Sequence, residues 1–111
     1  MLQIIGTKKC KDTAKVLRAC KERSIPFQFV DLSQRDLSEG EWKALFAALP
    51  AQELLDTDSA YYIKNGYSFR EYDSIEELKE HPQLLKTPIL RNKGKVSIGY
   101  SIDSILAWEN T

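Results

Sequence analysis

The stretch Leu2-Gln3-Ile4-Ile5-Gly6-Thr7-Lys8-Lys9-Cys10, with the segment from Lys11 to Arg23 and then Phe27-Gln28-Phe29-Val30, decides the fold. Leu2, Ile4 and Ile5 form a short apolar run that stops at Gly6, which reads as a first strand. Between Lys11 and Arg23, Val16, Leu17 and Cys20 fall at helical spacing with charges between them. That pattern predicts an amphipathic helix. Pro26 then opens Phe27-Gln28-Phe29-Val30 as a second strand. Strand, helix and strand within about 30 residues form a βαβ unit, whose strands are expected to run parallel.

Working outward, Ser38-Glu39-Gly40-Glu41 has the form of a capping box and predicts a helix with Trp42, Leu45, Phe46 and Leu49 on its apolar face. Pro50 follows that face. Residues 51–72 are less regular, and Asn65-Gly66 breaks them. They read as one or two short helices around a turn. Ser74-Ile75-Glu76-Glu77 is a second capping box, whose helix stops near Pro82. Thr87 to Arg91 and Lys95 to Tyr100 are strand-like. Asn92-Lys93-Gly94 between them is turn chemistry, which makes the pair an antiparallel hairpin. Ser101 can cap a last helix carrying Ile102, Ile105 and Leu106 on one face.

The order is βαβ, then helices over about 37–82, then ββα, within a single domain of 111 residues. A βαβ and a ββα unit sharing one mixed four-stranded sheet, flanked by helices, is the thioredoxin-like α/β arrangement. Pro88 fits it, because such folds place a cis-proline at the start of the third strand, facing the active cysteine. The alternative for Pro88 is an ordinary turn proline.

Composition narrows the class. Lys plus Arg is 16 and Asp plus Glu is 16, so the formal net charge is zero. A zero balance argues against bulk binding to nucleic acid or to an anionic membrane. No apolar run approaches the roughly 18 residues of a membrane span, and no signal peptide is visible. Two cysteines are too few for a disulfide-stapled scaffold, so a cytoplasmic location is expected. One histidine, His81, and two separated cysteines predict no metal site.

Cys10 lies between the first strand and the first helix, where the helix leaves amides without internal partners and its dipole favours an anion. A thiolate there is stabilised, and the thiol pKa falls. Lys8, Lys9 and Lys11 flank Cys10 and push the same way, while Asp12 opposes them. Thr13, one turn into the helix, has a hydroxyl that can donate to the sulfur. The competing reading is a small inert cysteine, which its lysine neighbours disfavour because lysine is rarely buried.

Cys20 lies on the apolar face with Val16 and Leu17 and reads as core. Ten positions, mostly along one helix, separate the two residues by on the order of 14 Å of rise, beyond the Cα separation of about 7 Å that a disulfide allows. In Cys10-Lys11-Asp12-Thr13 the fourth place holds no cysteine, so any disulfide cycle must use an outside thiol.

The segments Gly6 to Thr13, His81-Pro82-Gln83-Leu84-Leu85-Lys86-Thr87-Pro88-Ile89-Leu90 and Val96-Ser97-Ile98-Gly99-Tyr100 resemble the arsenate reductase and Spx family. The loop is closest to the uncharacterised glutathione-linked members, which share a Gly-x-Lys-x-Cys loop. The resemblance implies a thioredoxin-like fold and a nucleophile at Cys10. In arsenate reductases, arginines bind the oxyanion, one from the helical insertion and one immediately before the proline of the third strand. Here Thr87 precedes Pro88 with Lys86 beside it, and no arginine occurs between Arg35 and Arg70. Lysine and threonine do not reproduce a bidentate guanidinium clamp, so arsenate itself is not the expected substrate. Arg70 and Arg91 remain as candidate anion contacts; each is otherwise a solvated surface residue.

Two functions are expected from these readings. One is a thiol-dependent reductase in which Cys10 attacks its substrate, supported by Lys8, Lys9, Lys11, Thr13, Thr87 and Pro88. Glutathione, a glutaredoxin or a thioredoxin would then resolve the adduct, with no bound cofactor. The other is an Spx-like regulator that binds the RNA polymerase α subunit, although the Cys-x-x-Cys switch of such regulators is absent here. The aromatic group Tyr61, Tyr62, Tyr67, Phe69 and Tyr72 reads as cover for a core, with a substrate groove as the alternative. The charge is also uneven. Residues 1–23 hold seven basic and two acidic residues, and residues 24–58 hold two and seven. The basic excess surrounds Cys10 and favours an anionic partner such as glutathione.

Overall fold

The computed structural model describes residues 2–109, the last of these by its backbone alone. The described residues divide into two compact units, one made of residues 2–38 and 87–109 and the other of Glu39–Lys86.

The first unit holds a four-stranded sheet with β1 at Leu2–Gly6, β2 at Phe27–Asp31, β3 at Ile89–Asn92 and β4 at Lys95–Ile98. The strand order is β2-β1-β3-β4. β1 pairs in parallel with β2, Ile4 opposite Phe29, and antiparallel with β3, Ile4 opposite Leu90. β3 and β4 form the expected antiparallel hairpin. β1 carries apolar residues on both faces, Leu2 and Ile4 on one and Ile5 on the other, and all five of its residues are buried. A strand covered on both faces has no solvent side on which to alternate.

Helix α1, Lys11–Glu22, joins β1 to β2. Its buried residues are Thr13, Val16, Ala19 and Cys20, a stripe at helical spacing. Val16 and Cys20 pack with Leu2, Ile4, Ile25, Leu90 and Ile105 in one apolar cluster, and Leu17 and Trp108 lie against its edge. Cys20 is therefore core, as expected, and neither cysteine is in a disulfide. Ile105 comes from the last helix of the chain, Ile102–Glu109. The amide of Ser104 donates to the Ser101 hydroxyl at 3.3 Å, the cap expected from the sequence.

The hairpin is tighter than expected. Asn92 stays in β3, paired with Lys95, which leaves Lys93-Gly94 as the connection. The positive φ of 57° falls on Lys93. β3 also begins at Ile89 and β4 ends at Ile98, inside the ranges read from sequence.

The second unit contains helices α2 at Glu39–Ala48, α3 at Ala51–Leu54, α4 at Ala60–Lys64 and α5 at Ser74–Glu80, with short 3-10 turns at Tyr67–Phe69 and Pro82–Leu84. On α2, Trp42 and Leu45 are buried, and the Trp42 ring stacks on Phe46 at 5.4 Å. The capping-box reading of α5 shifts by one residue. Asp73, not Ser74, is the cap, and its carboxylate accepts from the amides of Ile75 and Glu76. A carboxylate in that position also meets the helix dipole favourably. Tyr62, Tyr67 and Tyr72 form an aromatic cluster with ring centroids 5.1 to 6.3 Å apart, and Tyr61 adjoins Tyr67. Phe69 departs from that group, being 93% exposed. Among the described residues no helix is long and apolar enough to cross a membrane.

Candidate active site

β1 ends at Gly6, and the chain turns through Thr7, Lys8 and Lys9 before α1 begins. The turn is closed by the Cys10 amide, which donates to the Thr7 carbonyl at 3.1 Å. Cys10 is the N-cap of α1, with extended backbone at φ −76° and ψ 122°. Its carbonyl accepts from the Ala14 amide at 3.0 Å and starts the helical ladder. The cysteine is thus fixed at the helix entrance by its own backbone, with its side chain partly exposed.

The antiparallel pairing of β1 with β3 brings the second half of the site to this point. Ile89 sits opposite Ile5, so the residues before Ile89 lie at the end of β1 from which the Cys10 loop departs. Those residues are Thr87 and Pro88. Their peptide bond is cis, and the Pro88 carbonyl accepts from the Gly99 amide at 2.8 Å. The Cys10 thiol donates to the Thr87 carbonyl at 3.6 Å. The structure therefore brings together Cys10, Thr13, Thr87 and Pro88.

Partial burial pushes the Cys10 thiol up, but hydrogen bonds outweigh it and the net shift is below the ordinary thiol value. The groups placed to donate to the ionised sulfur are the hydroxyls of Thr13 and Thr87 and the amides of Thr13 and Asp12. In the thiol form the sulfur makes no cap hydrogen bond. Loss of the proton turns it into an acceptor at the N-cap, where the second and third helical amides have no other partner. Lys8, Lys9 and Lys11 are exposed, and the groups that lower the thiol do not include them. Water screens such exposed charges.

The two candidate arginines are engaged elsewhere. Arg91 stands opposite Gln3, two residues further along β3 than Ile89, or about 7 Å of strand. Its Nε donates to Gln3 Oε1 at 2.8 Å. Arg70 belongs to the second unit, with its guanidinium 4.0 Å from the centroid of the Tyr67 ring and 3.9 Å from Glu77. His81 lies 3.8 Å from Glu77, and its ring is tilted against Tyr61 with centroids 5.2 Å apart. Glu77, Glu80 and His81 offer ligand atoms within 4.8 Å of one another, a grouping that the count of cysteines and histidines did not anticipate.

From the sequence, Gly6 ends the first strand and opens the Gly-x-Lys-x-Cys loop; the structure adds a contact with Thr13. A Cβ at Gly6 would stand 2.5 Å from Thr13 Oγ1 and 2.9 Å from its Cγ2. The bare Cα is what admits the Thr13 side chain. A glycine at the end of a buried strand was the available signal.

The model of the ArsC family matches residues 5–108. The global transcriptional regulator Spx of Enterococcus faecalis is 26% identical over 110 residues, which span 95% of this chain and 83% of that protein. Among solved structures, the YffB protein matches with a TM-score of 0.83 at 20% identity, covering 96% of this chain and 97% of that one. An arsenate reductase from Vibrio cholerae matches with a TM-score of 0.78 at 18% identity, over 96% and 95% of the two chains. At these identities the structural likenesses establish the fold, and it is the thioredoxin-like mixed sheet with flanking helices expected from the order of elements.

Proposed function

The chain belongs to the ArsC family, and from that premise we propose that it is a thiol-dependent redox protein with Cys10 as its single nucleophile. The observation that carries this reading is the setting of Cys10. It is a partly exposed thiol at a helix N-cap, beside Thr87 and Pro88, with hydroxyls and helix amides placed to favour the thiolate. A thiolate, not a thiol, is the attacking species.

The chemistry that fits is exchange with a glutathione mixed disulfide. The Cys10 thiolate attacks the glutathione sulfur, the new Cys10–glutathione S–S bond forms, and the substrate sulfur leaves as a thiolate that takes up a proton. Thr13 stands where a resolving cysteine would be, so the adduct is not resolved internally. A second glutathione, or a glutaredoxin thiol, attacks the adduct instead, which frees the Cys10 thiolate and carries away the two oxidising equivalents as a disulfide. Arsenate is a poorer fit, since Arg91 is committed to Gln3 and Arg70 to Glu77 and Tyr67.

Turnover in a glutathione-coupled reductase assay, abolished in Cys10→Ser, is the expected result; turnover unchanged in that variant would refute the reading. The likeness to Spx across 95% of the chain favours a second reading, a regulator that contacts the RNA polymerase α subunit. That reading predicts capture of the α subunit by wild type and Cys10→Ser alike. An absence of capture in both redox states would reject it.

A further inference from the structure

We propose that Thr13 is a positioning residue for Cys10, its buried hydroxyl kept at the sulfur by the bare Cα of Gly6 and reserved as a donor to the thiolate. The proposal deepens the reading of Cys10 as a nucleophile and rests on it.

Two independent observations meet at this point. Thr13 has no exposed surface, and its Oγ1 has no hydrogen-bond partner among the described residues. A buried hydroxyl left without a partner is costly. A helical threonine commonly relieves that cost by bonding a carbonyl one turn back. Thr13 sits in the first turn, as the third residue of α1, and does not do so. The second observation is the fit against β1. A Cβ on Gly6 would fall within 3.2 Å of three Thr13 atoms, Oγ1, Cγ2 and Cβ. Gly6 therefore holds open the space the hydroxyl occupies. The thiol donates its proton to the Thr87 carbonyl, and its neutral sulfur is only a weak acceptor for Thr13. The thiolate offers a full negative charge, and a hydrogen bond to a charged acceptor is roughly twice as strong as a neutral one.

The arrangement stores an unmet donor in the reduced, protonated protein and satisfies it when Cys10 ionises. The charged groups around the pair are Lys8, Lys9, Lys11 and Asp12 of the loop and first turn, with Asp31 at the end of β2 beside Lys8. The substitutions below leave all of them in place.

The test is the pH dependence of Cys10 alkylation, followed together with thermal stability. Alkylation reads the sulfur directly, so its outcome is separate from whether any glutathione-coupled turnover is found. Thr13→Val removes the hydroxyl and keeps the shape. It is expected to raise the alkylation midpoint and to slow the reaction at neutral pH by about tenfold. Its melting temperature in the protonated state is expected to stay level or rise, because an unmet polar group is lost. Thr13→Ser restores the hydroxyl and is expected to restore the wild-type midpoint. A Thr13→Val midpoint equal to wild type would overturn the proposal, as would a Thr13→Ser midpoint displaced as far as that of Thr13→Val.

Gly6→Ala supplies the second arm. It is expected to lower the melting temperature and raise the midpoint in the wild-type background. In a Thr13→Ala background most of its stability cost should vanish, because the two atoms in closest conflict are gone. An equal cost in both backgrounds would overturn the pairing of Gly6 with Thr13.

Discussion

The Cys10 thiol and the Thr87 carbonyl, 77 residues apart in the chain, meet at 3.6 Å. The contact exists because β3 runs antiparallel beside β1, with Ile89 opposite Ile5. The loop that leaves β1 and the residues that enter β3 therefore share one end of the sheet. Local helix-cap chemistry and long-range strand pairing converge on one sulfur.

The lowered Cys10 thiol makes stability depend on pH. The folded thiol ionises more readily than the unfolded one, so the unfolded state binds more protons between the two values. Stability from this group is fully present above the ordinary thiol value of about 8.5 and is lost as pH falls through the lower folded value. The stability difference between wild type and Cys10→Ser should therefore shift in favour of wild type as pH rises through that window. Denaturant titrations at several pH values check this; a difference independent of pH would contradict it.

Cys20 should behave as a structural residue. It has no exposed surface and lies in the apolar cluster of Val16, Leu90 and Ile105. Cys20→Ser places a hydroxyl there and should cost about 1–3 kcal/mol. Cys20 should also resist alkylation in the native protein while Cys10 reacts. Equal labelling of both under native conditions would contradict the assignment.

The cap of α5 separates two neighbouring residues. Asp73→Ala should cost about 1 kcal/mol, because the carboxylate accepts from two helix amides. Ser74→Ala should cost less than half of that. Chemical denaturation of the two variants side by side gives the comparison, and a reversed order would restore Ser74 as the cap.

The tyrosine cluster sets an alkaline limit. Its hydrogen bond with Tyr62, and burial after it, push Tyr72 up to about 12. Above the ordinary tyrosine value of about 10, the unfolded state gives up a proton that the folded state keeps. Stability should fall as pH rises from there, and Tyr72→Phe should flatten that fall. Absorbance titration of the phenolates, run with stability measurements, checks both.

Most of this architecture was legible from residues 2–30 and 87–106. The period of Val16, Leu17 and Cys20, the apolar run of β1 and the hairpin signal report directly on which surfaces are buried. The position of Cys10 was legible for the same reason, because the junction of strand and helix shows in the pattern. What the pattern did not carry was three-dimensional. The three lysines beside Cys10 looked like its electrostatic support, yet the hydrogen-bond donors that lower it are Thr13, Thr87 and two amides. The role of Gly6 depends on a contact with a residue seven positions away on another element. Asp73 and Ser74 both suit a cap, and only the backbone geometry chooses between them.

The central claim is that Cys10 works as a lone nucleophile and depends on an outside thiol. Intact-mass and peptide mass spectrometry after exposure of the native protein to oxidised glutathione test it most directly. One glutathione adduct is expected, on Cys10, removed by added glutathione and absent in Cys10→Ser. An unmodified Cys10, an adduct on Cys20, or a Cys10–Cys20 disulfide would contradict it.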